Sequence, residues 1–288
     1  MNNNNLWPEG QDPGYCLQQV PGFERHVQLQ PLPGGLSNRI WRVDRGGQSY
    51  VLRLHNPQPA AGIDRRRERD AWHKAASAGL SPALIHWDSE DRFSLSAYVA
   101  AKPCSRPLPH ETAALLAKLH ALPPCTAETR NYAQIAHHLG RQLPQEDRII
   151  SDWLDHAWQW QEALHHPQLN GGLCHHDASR ENLLYDGARL WLVDFEYAQA
   201  GSALFDLATT AEHWPPAARR QLLSAYLQAR QLAHDAVVEE AFHSAQALHL
   251  LLSLLWWQGR PPCPQSIRAS HHYRDRMVQL LIQVGTTQ

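Results

Sequence analysis

The chain has 288 residues, of which 43% are hydrophobic, and its formal net charge is −2. This length is sufficient for one large domain or two lobes, and the absence of a basic excess argues against a nucleic-acid partner. The asparagine-rich start, Met1–Asn5, has no apolar segment behind it, so we expect no secretory signal. The longest apolar run, Leu248–Trp257, is too short to cross a bilayer and predicts a buried helix, so we expect no membrane partner.

The cysteines and histidines favour a cytoplasmic protein without a zinc framework. Five cysteines occur, with no C-x-x-C pair, which is typical of free thiols in a reducing compartment. The 19 histidines are scattered, and adjacent pairs such as His271-His272 point different ways on a helix. This pattern disfavours a histidine metal site.

The first hundred residues predict an antiparallel sheet. Residues 1–24 contain three prolines and little periodicity, so we predict an irregular lead-in there. Three strands follow, one from Val27, one over 40–43 and one over 49–54, where apolar and polar residues alternate. Two more strands are predicted over 84–87 and 93–99.

The loop between the first two strands has the sequence G-G-L-S-N, formed by Gly34, Gly35, Leu36, Ser37 and Asn38. Glycine has no side chain, so backbone N–H groups in such a loop can approach the phosphates of a nucleotide. A Gly-Gly pair alone is weak support, because most such pairs are ordinary turns.

Arg53 lies on the third predicted strand, and no lysine occurs before residue 74. A guanidinium can bind phosphate oxygens through two parallel N–H groups, although a solvent-facing strand arginine is the alternative. A charged helix is predicted over 63–79, ended by Gly79. Its Glu68 is the first choice of ion-pair partner for Arg53 and Asp70 the second, while a solvated charged face remains the alternative for both.

The second half of the chain is predicted to be mainly helical. An amphipathic helix is expected over 110–121, with further helices within 131–166 and from 209 to the end. Between them lies H-x-D-x-x-x-x-N, formed by His175, Asp177 and Asn182, and an apolar strand then leads to Asp194-Phe195-Glu196. Phosphoryl transfer needs such a set, in which an acid orients the attacking hydroxyl while an amide and a second carboxylate hold magnesium.

This motif resembles the catalytic and metal loops of the aminoglycoside phosphotransferase and choline kinase superfamily, which is related to the protein kinases. Within it, D-F-E-Y-A and G-G-L-S-N look like the choline, ethanolamine and thiamine kinase branch. The resemblance implies an α+β, bilobal, protein-kinase-like fold, with a small antiparallel-sheet N-lobe containing one helix and a larger, mainly helical C-lobe. We place the N-lobe at 1–97 and the C-lobe at 98–288.

The resemblance also implies roles for individual residues, with ATP and Mg²⁺ as cofactors. Asp177 would be the catalytic acid, and Asn182 and Asp194 the metal ligands. The nucleotide would contact the loop 34–38, Arg53 positioned by Glu68, and a hinge segment including Ser96 and Tyr98. His175 and Asp206 would be structural, Asp206 by holding the catalytic-loop backbone, and Glu196 would assist the metal or the substrate.

The acceptor is predicted to be a small molecule, a monocationic alcohol such as choline, ethanolamine or thiamine. Trp214, Trp256 and Trp257 are candidates for its pocket, because aromatic faces bind quaternary ammonium groups. An aminoglycoside or other antibiotic or sugar phosphotransferase is the alternative, and a catalytically silent pseudokinase is the alternative of another class. A protein kinase is disfavoured because D-F-E replaces D-F-G. The sequence does not indicate the oligomeric state or whether ATP or GTP is preferred.

Overall fold

A computed structural model describes residues 12–33, 37–59, 62–104, 108–144 and 147–285. These residues form two compact units. Unit 1 comprises the described residues of Met1–Cys104 together with Glu181–Tyr197, and unit 2 those of Ser105–Arg180 together with Ala198–Gln288. The predicted lobes, 1–97 and 98–288, assign residues 98–104 and 181–197 differently, and the division into lobes stays a prediction.

Unit 1 is built on a five-stranded antiparallel sheet. Its strands, in the spatial order β1-β2-β3-β5-β4, are β1 (Gln28–Pro31), β2 (Arg39–Arg45), β3 (Gln48–Leu54), β4 (Leu84–Trp87) and β5 (Phe93–Ala97). Gly46 and Gly47 form the tight β2–β3 turn with φ of 57° and 79°, a conformation that favours glycine. These strand ranges confirm the predicted strands. Val43 and Leu52 are fully buried on the sheet.

Helix α1 (Pro13–Gln18) covers one part of this sheet. Asp12 caps it by accepting a hydrogen bond from the Tyr15 N–H at 3.0 Å, and Pro13 occupies the first helical position. Cys16 and Leu17 are buried in the same apolar cluster as the strands. The irregular lead-in predicted over 1–24 is therefore wrong for residues 13–18, whereas residues 19–24 form turns and bends and residues 1–11 lie outside the described part.

Helix α2 (Arg65–Ser77) connects β3 to β4 in the chain. Asp64 caps its N-terminus by accepting hydrogen bonds from two backbone N–H groups of the first turn. Gly79 follows the C-terminus with φ of 71°, the left-handed conformation that ends many helices, so the predicted glycine stop is confirmed. The helix buries Glu68, Ala71, Trp72 and Ala75, which places a carboxylate on its inner face.

A hairpin from the later part of the chain also belongs to unit 1. It consists of β7 (Leu183–Tyr185) and β8 (Leu190–Leu192), which pair in antiparallel register. Asp186 stabilises its turn by accepting hydrogen bonds from the backbone N–H groups of Ala188 and Arg189 at 2.8 and 2.9 Å. The Leu192 N–H donates to the Leu80 carbonyl at 2.9 Å, which ties the hairpin to the loop after α2. The predicted hairpin is confirmed.

Unit 2 is mainly helical, and the α+β class is thereby confirmed. Its helices are α3 (Pro109–His120), α4 (Tyr132–Gly140), α5 (Arg148–Ala163), α6 (Ala203–Ala211), α7 (Pro216–Ala229), α8 (Ala236–Gln258) and α9 (Pro264–Gly285). A two-stranded ladder of β6 (Asn170–Cys174) and β9 (Gln199–Ser202) lies beside α3 and α6. None of the helices in the described ranges has the length and apolar character that crossing a bilayer requires.

Candidate active site

Arg53 lies at the centre of an ion-pair cluster in unit 1, with a side chain only 6% exposed. One of its terminal nitrogens donates to Glu68 of α2. The other lies 2.9 Å from a carboxylate oxygen of Asp194 and 2.9 Å from one of Glu196. The ion pair predicted between Arg53 and Glu68 is present, whereas Asp70, the second choice, pairs with an arginine of its own helix. The strand arginine is therefore buried and does not face solvent.

A second arginine, which the sequence analysis did not select, joins the same cluster. Arg65 donates to the other oxygen of Glu68 at 2.6 Å and lies 3.5 Å from Glu196. Asn38 donates from its amide nitrogen to Glu196 at 3.2 Å, and its amide oxygen accepts from the Asn56 N–H at 3.1 Å. Glu196 thus links the end of the G-G-L-S-N loop to the two arginines.

Burial and charge shift the acids of this cluster in opposite directions. Burial alone would raise the pKa of Glu68, but Arg53 and Arg65 outweigh it and hold that pKa below its ordinary value. Burial raises the pKa of Asp194 in spite of Arg53, and it raises that of Glu196 together with the nearby charge of Asp194. Three carboxylates therefore share two guanidinium groups, so additional positive charge would stabilise the ionised forms of the D-F-E acids.

The two predicted metal ligands lie at one end of the hairpin. Asn182 ends a short 3-10 turn, Arg180–Asn182, and its backbone carbonyl accepts from the Val193 N–H at 3.0 Å, one residue before Asp194. Asp194 has a φ of 68°, a left-handed conformation that aspartate tolerates better than most residues. Its buried Oδ1 pairs with the Arg53 guanidinium at 2.9 Å, but no described residue donates to it a hydrogen bond of acceptable geometry. An amide oxygen and an incompletely satisfied carboxylate fit the hard oxygen ligands that Mg²⁺ prefers.

In unit 2, Asp206 holds the backbone of the loop that leads to Asp177. Its carboxylate accepts hydrogen bonds from the backbone N–H groups of His175 and His176, both at 2.7 Å, and lies 3.0 Å from Nε2 of His120. Burial alone would raise the pKa of Asp206, but the bond from His120 and the neighbouring imidazoles lower it to about 2. The carboxylate is therefore charged at neutral pH. Nδ1 of His120 is in turn 2.8 Å from the Tyr226 hydroxyl.

His176, directly before Asp177, adopts a left-handed backbone conformation with a φ of 64°. The Tyr132 hydroxyl lies 3.1 Å from its Nδ1, and burial lowers its pKa to about 3, so the ring is neutral. A Cβ atom on Gly201 would lie 2.2 Å from the ring, so only glycine fits there. On the other side of Asp177, the Ala178 carbonyl accepts from the Thr210 hydroxyl at 2.6 Å. The loop is therefore fixed immediately before and after the predicted catalytic acid.

The predicted nucleotide contacts are described in part. Gly34, Gly35 and Leu36 lie outside the described residues, while Ser37 is half-buried beside the buried Asn38. Ser96 is 4% exposed, and its backbone lies between β3 and β4 in the sheet. The Tyr98 N–H donates to Ser49 at 3.1 Å, so this donor is used within the unit.

The three tryptophans predicted for the acceptor pocket lie on two separate elements. Trp214 is half-buried just after α6, and its carbonyl accepts from Arg219 at 2.7 Å. Trp256 and Trp257, at the end of α8, meet edge to face with ring centroids 4.9 Å apart. The Arg260 guanidinium lies 4.3 Å from the Trp256 ring centre. The same guanidinium lies 6.0 Å from the Trp257 ring centre, so an internal cation is near both rings and closer to Trp256.

Sequence reasoning missed three contributors for different reasons. Arg65 precedes Glu68 by one helical turn, so helix periodicity would have identified it. Tyr132 and Tyr226 reach the catalytic-loop region from helices far away in the chain, and no local pattern indicates such contacts. Their hydrogen bonds become visible only when α4 and α7 are positioned.

A family model described as the phosphotransferase enzyme family matches residues 28–247. The chain therefore belongs to the phosphotransferase enzyme family. Among characterised proteins, it is similar to protein LicA of Haemophilus influenzae, with 25% identity over 241 residues that cover 78% of this chain and 70% of that protein.

Solved structures establish the fold. A choline/ethanolamine kinase family protein from Mesorhizobium loti superposes with a TM-score of 0.75 and 23% identity, covering 93% of both chains. Choline kinase LicA from Streptococcus pneumoniae gives a TM-score of 0.70 with 17% identity, covering 88% of this chain and 94% of its own. The protein-kinase-like fold implied by the catalytic motif is thus confirmed.

Proposed function

We propose that this phosphotransferase is an ATP-dependent kinase that phosphorylates the hydroxyl of a small cationic alcohol. The observation that supports it most is the buried Arg53, which Glu68 holds next to Asp194 in unit 1. Kinases position a phosphate-binding strand cation, commonly a lysine, by pairing it to a helix glutamate, and Arg53 and Glu68 form the corresponding pair. Membership of the phosphotransferase family agrees with this assignment.

The residues have separate roles in the proposed reaction. Asp177 accepts a hydrogen bond from the acceptor hydroxyl and takes its proton as the oxygen bonds to the γ-phosphorus. The bond from that phosphorus to the bridging oxygen breaks, and ADP leaves with the electron pair. Arg53 and the 34–38 loop bind phosphate oxygens. Asn182 and Asp194 would hold Mg²⁺, which supplies positive charge against the phosphates.

The cluster geometry also suggests what Glu196 does. Its Oε2 accepts from Arg53 and Asn38 and lies near Arg65, so this oxygen holds the arginines and the end of the nucleotide loop. We assign Glu196 to positioning Arg53, in addition to any contact of its other oxygen with metal. Loss of Glu196 should therefore weaken nucleotide binding.

The acceptor class is supported by the D-F-E-Y sequence and by the named relatives. Two of the proteins with this fold are named as choline or choline/ethanolamine kinases. The half-buried Trp214 and Trp257 offer aromatic faces for an ammonium group. We place choline, ethanolamine and thiamine first, followed by aminoglycosides, sugars and homoserine-like alcohols.

The test is an acceptor panel with Mg-ATP, in which ADP release is followed by a coupled assay. We expect one of the cationic alcohols to stimulate ADP release well above the acceptor-free rate, and Asp177→Asn to abolish the stimulation. An aminoglycoside as the best acceptor would overturn the acceptor assignment alone. If no acceptor in the panel stimulates ADP release by a folded, ATP-binding protein, the kinase proposal is wrong and a pseudokinase is favoured.

A further inference from the structure

A carboxylate and two imidazoles converge at the end of α6 in unit 2. Glu212 caps this helix, His213 follows it, and His272 comes from α9. Nε2 of His213 lies 2.7 Å from one oxygen of Glu212, and Nε2 of His272 lies 2.9 Å from the other. All three donor atoms lie within 4.8 Å of one another.

The carboxylate is fixed, whereas the two rings are accessible. The Glu212 side chain is 4% exposed, and the rings of His213 and His272 are 53% and 41% exposed. Arg219 fixes the backbone by donating to the Glu212 carbonyl at 3.1 Å and to the Trp214 carbonyl at 2.7 Å. A ligand can therefore reach the cluster from the side of the rings, while the buried acid stays in place.

Each oxygen of the buried acid is directed at one of the two imidazoles. Oε2 of Glu212 is buried and lies 2.7 Å from Nε2 of His213, although the angle of this contact is poor for a hydrogen bond. Burial alone would raise the pKa of Glu212, but His213 and His272 help to lower it to about 2, so the group is charged at neutral pH.

Two imidazole nitrogens and one carboxylate are a typical donor set for a borderline divalent cation such as Zn²⁺, with a further position left for water. Tetrahedral bonds of 2.0–2.2 Å separate the donors by roughly 3.3 Å. The observed separations of 2.7 and 2.9 Å from Glu212 would have to open by about half an ångström. The exposed rings can make this adjustment by side-chain rotation.

We propose that Glu212, His213 and His272 form a binding site for a divalent transition-metal cation of the Zn²⁺ class. The site uses only one histidine of the pair His271-His272, in agreement with the expectation that adjacent residues point different ways on a helix. The sequence does not indicate that α6 and α9 bring these three donor residues together. The proposal does not depend on the kinase assignment.

The neighbouring Arg276 limits the affinity of this site for a cation. Nε of Arg276 lies 3.9 Å from Oε1 of Glu212, so this guanidinium competes with a bound cation for the same carboxylate. Replacing it with a neutral residue should tighten metal binding. This expectation distinguishes a metal site from a carboxylate that merely pairs with protonated histidines, because the latter has no reason to gain Zn²⁺ affinity.

The test is calorimetric titration of the untagged, metal-stripped full chain with ZnCl₂ in the absence of nucleotide. We expect one equivalent of Zn²⁺ to bind tightly. His213→Ala or His272→Ala should lower the affinity for Zn²⁺ at least about tenfold, as expected for the loss of a metal ligand. His271→Ala is the matched control, because it removes an exposed histidine next in sequence to His272. The control should bind like the parent, and Arg276→Gln should bind more tightly.

Two further measurements make the outcome decisive. With Co²⁺ in place of Zn²⁺, the visible absorption should show the strong bands of low coordination number in the parent and lose them in His272→Ala. Asp194→Asn should keep Zn²⁺ binding, so that failure of the predicted magnesium site and failure of this site are distinguishable. Equal affinity in the parent and both histidine variants, or equal loss in His271→Ala, would overturn the proposal.

Discussion

The most demanding prediction concerns Asp206, whose carboxylate is completely buried in unit 2. We consider Asp206→Asn, which preserves the shape of the side chain but removes its charge. Two backbone N–H groups, of His175 and His176, and the imidazole of His120 point at this carboxylate. The amide of asparagine has only one acceptor oxygen, so its NH₂ group must face at least one of these donors.

The magnitude follows from the shifted pKa. Folding lowers the pKa of Asp206 from 3.8 to about 2, and one pKa unit corresponds to about 1.4 kcal/mol. The charge therefore stabilises the folded protein by about 2–3 kcal/mol at neutral pH. A buried N–H left without an acceptor costs about 1–3 kcal/mol more, although the two terms overlap. We expect Asp206→Asn to lose about 3 kcal/mol of unfolding free energy.

Urea denaturation at several pH values is the assay. Because the folded pKa is depressed, the stabilisation is complete above about pH 4 and is lost as the pH falls towards 2. The difference between wild type and Asp206→Asn should accordingly shrink in acid. Asp155→Asn, an exposed position on α5, is the control and should change stability by no more than about 0.5 kcal/mol. A difference under about 1 kcal/mol at pH 7, or one that grows in acid, would refute the role given to Asp206.

Three other predictions concern the proposed reaction and its supporting residues. Asp177→Asn should lower kcat by about 10²–10⁴ while calorimetry shows nucleotide affinity within about twofold of wild type, and unchanged turnover would remove Asp177 from the mechanism. Arg53→Met should destabilise the protein to urea by about 3–5 kcal/mol, because it leaves buried carboxylates unpaired, and Arg53→Lys should lose less stability but still raise the KM for ATP. His176→Gly should be more stable than His176→Ala by about 1 kcal/mol, since glycine tolerates the positive φ, and the reverse order would contradict the assigned backbone conformation.

Local patterns predicted those elements whose signal lies within a few residues. The β7–β8 hairpin was recognisable because a short polar turn separates two apolar runs. Helix α2 and its stop at Gly79 were recognisable from charge periodicity and a single glycine. The Arg53–Glu68 pair followed from placing these two elements in a kinase-like order.

The segment 13–18 was predicted wrongly because proline has two structural uses. The prolines before residue 24 suggested an irregular segment, but Pro13 follows a capping Asp12 and starts α1. Proline at the first helical position loses no hydrogen bond, because that N–H has no partner within the helix. The burial of Cys16 and Leu17 on the sheet then stabilises a helix too short to persist alone.

Contacts between residues far apart in the chain could not be predicted from the sequence. The Asn38–Glu196 bond joins residues far apart in the chain, and nothing at either position indicates the other. The same holds for His272 and Glu212. Such pairs depend on helix packing angles and strand register, which composition and periodicity do not determine.

The central claim is that this chain transfers a phosphoryl group from ATP to an alcohol. Phosphorus NMR of one reaction with Mg-ATP and the best acceptor of the panel tests it most directly, with Asp177→Asn run in parallel. The account predicts that the γ-phosphate signal of ATP is replaced by an equal amount of a new phosphomonoester signal, in the wild type only. Formation of inorganic phosphate alone, or the same phosphomonoester from Asp177→Asn at the wild-type rate, would contradict it.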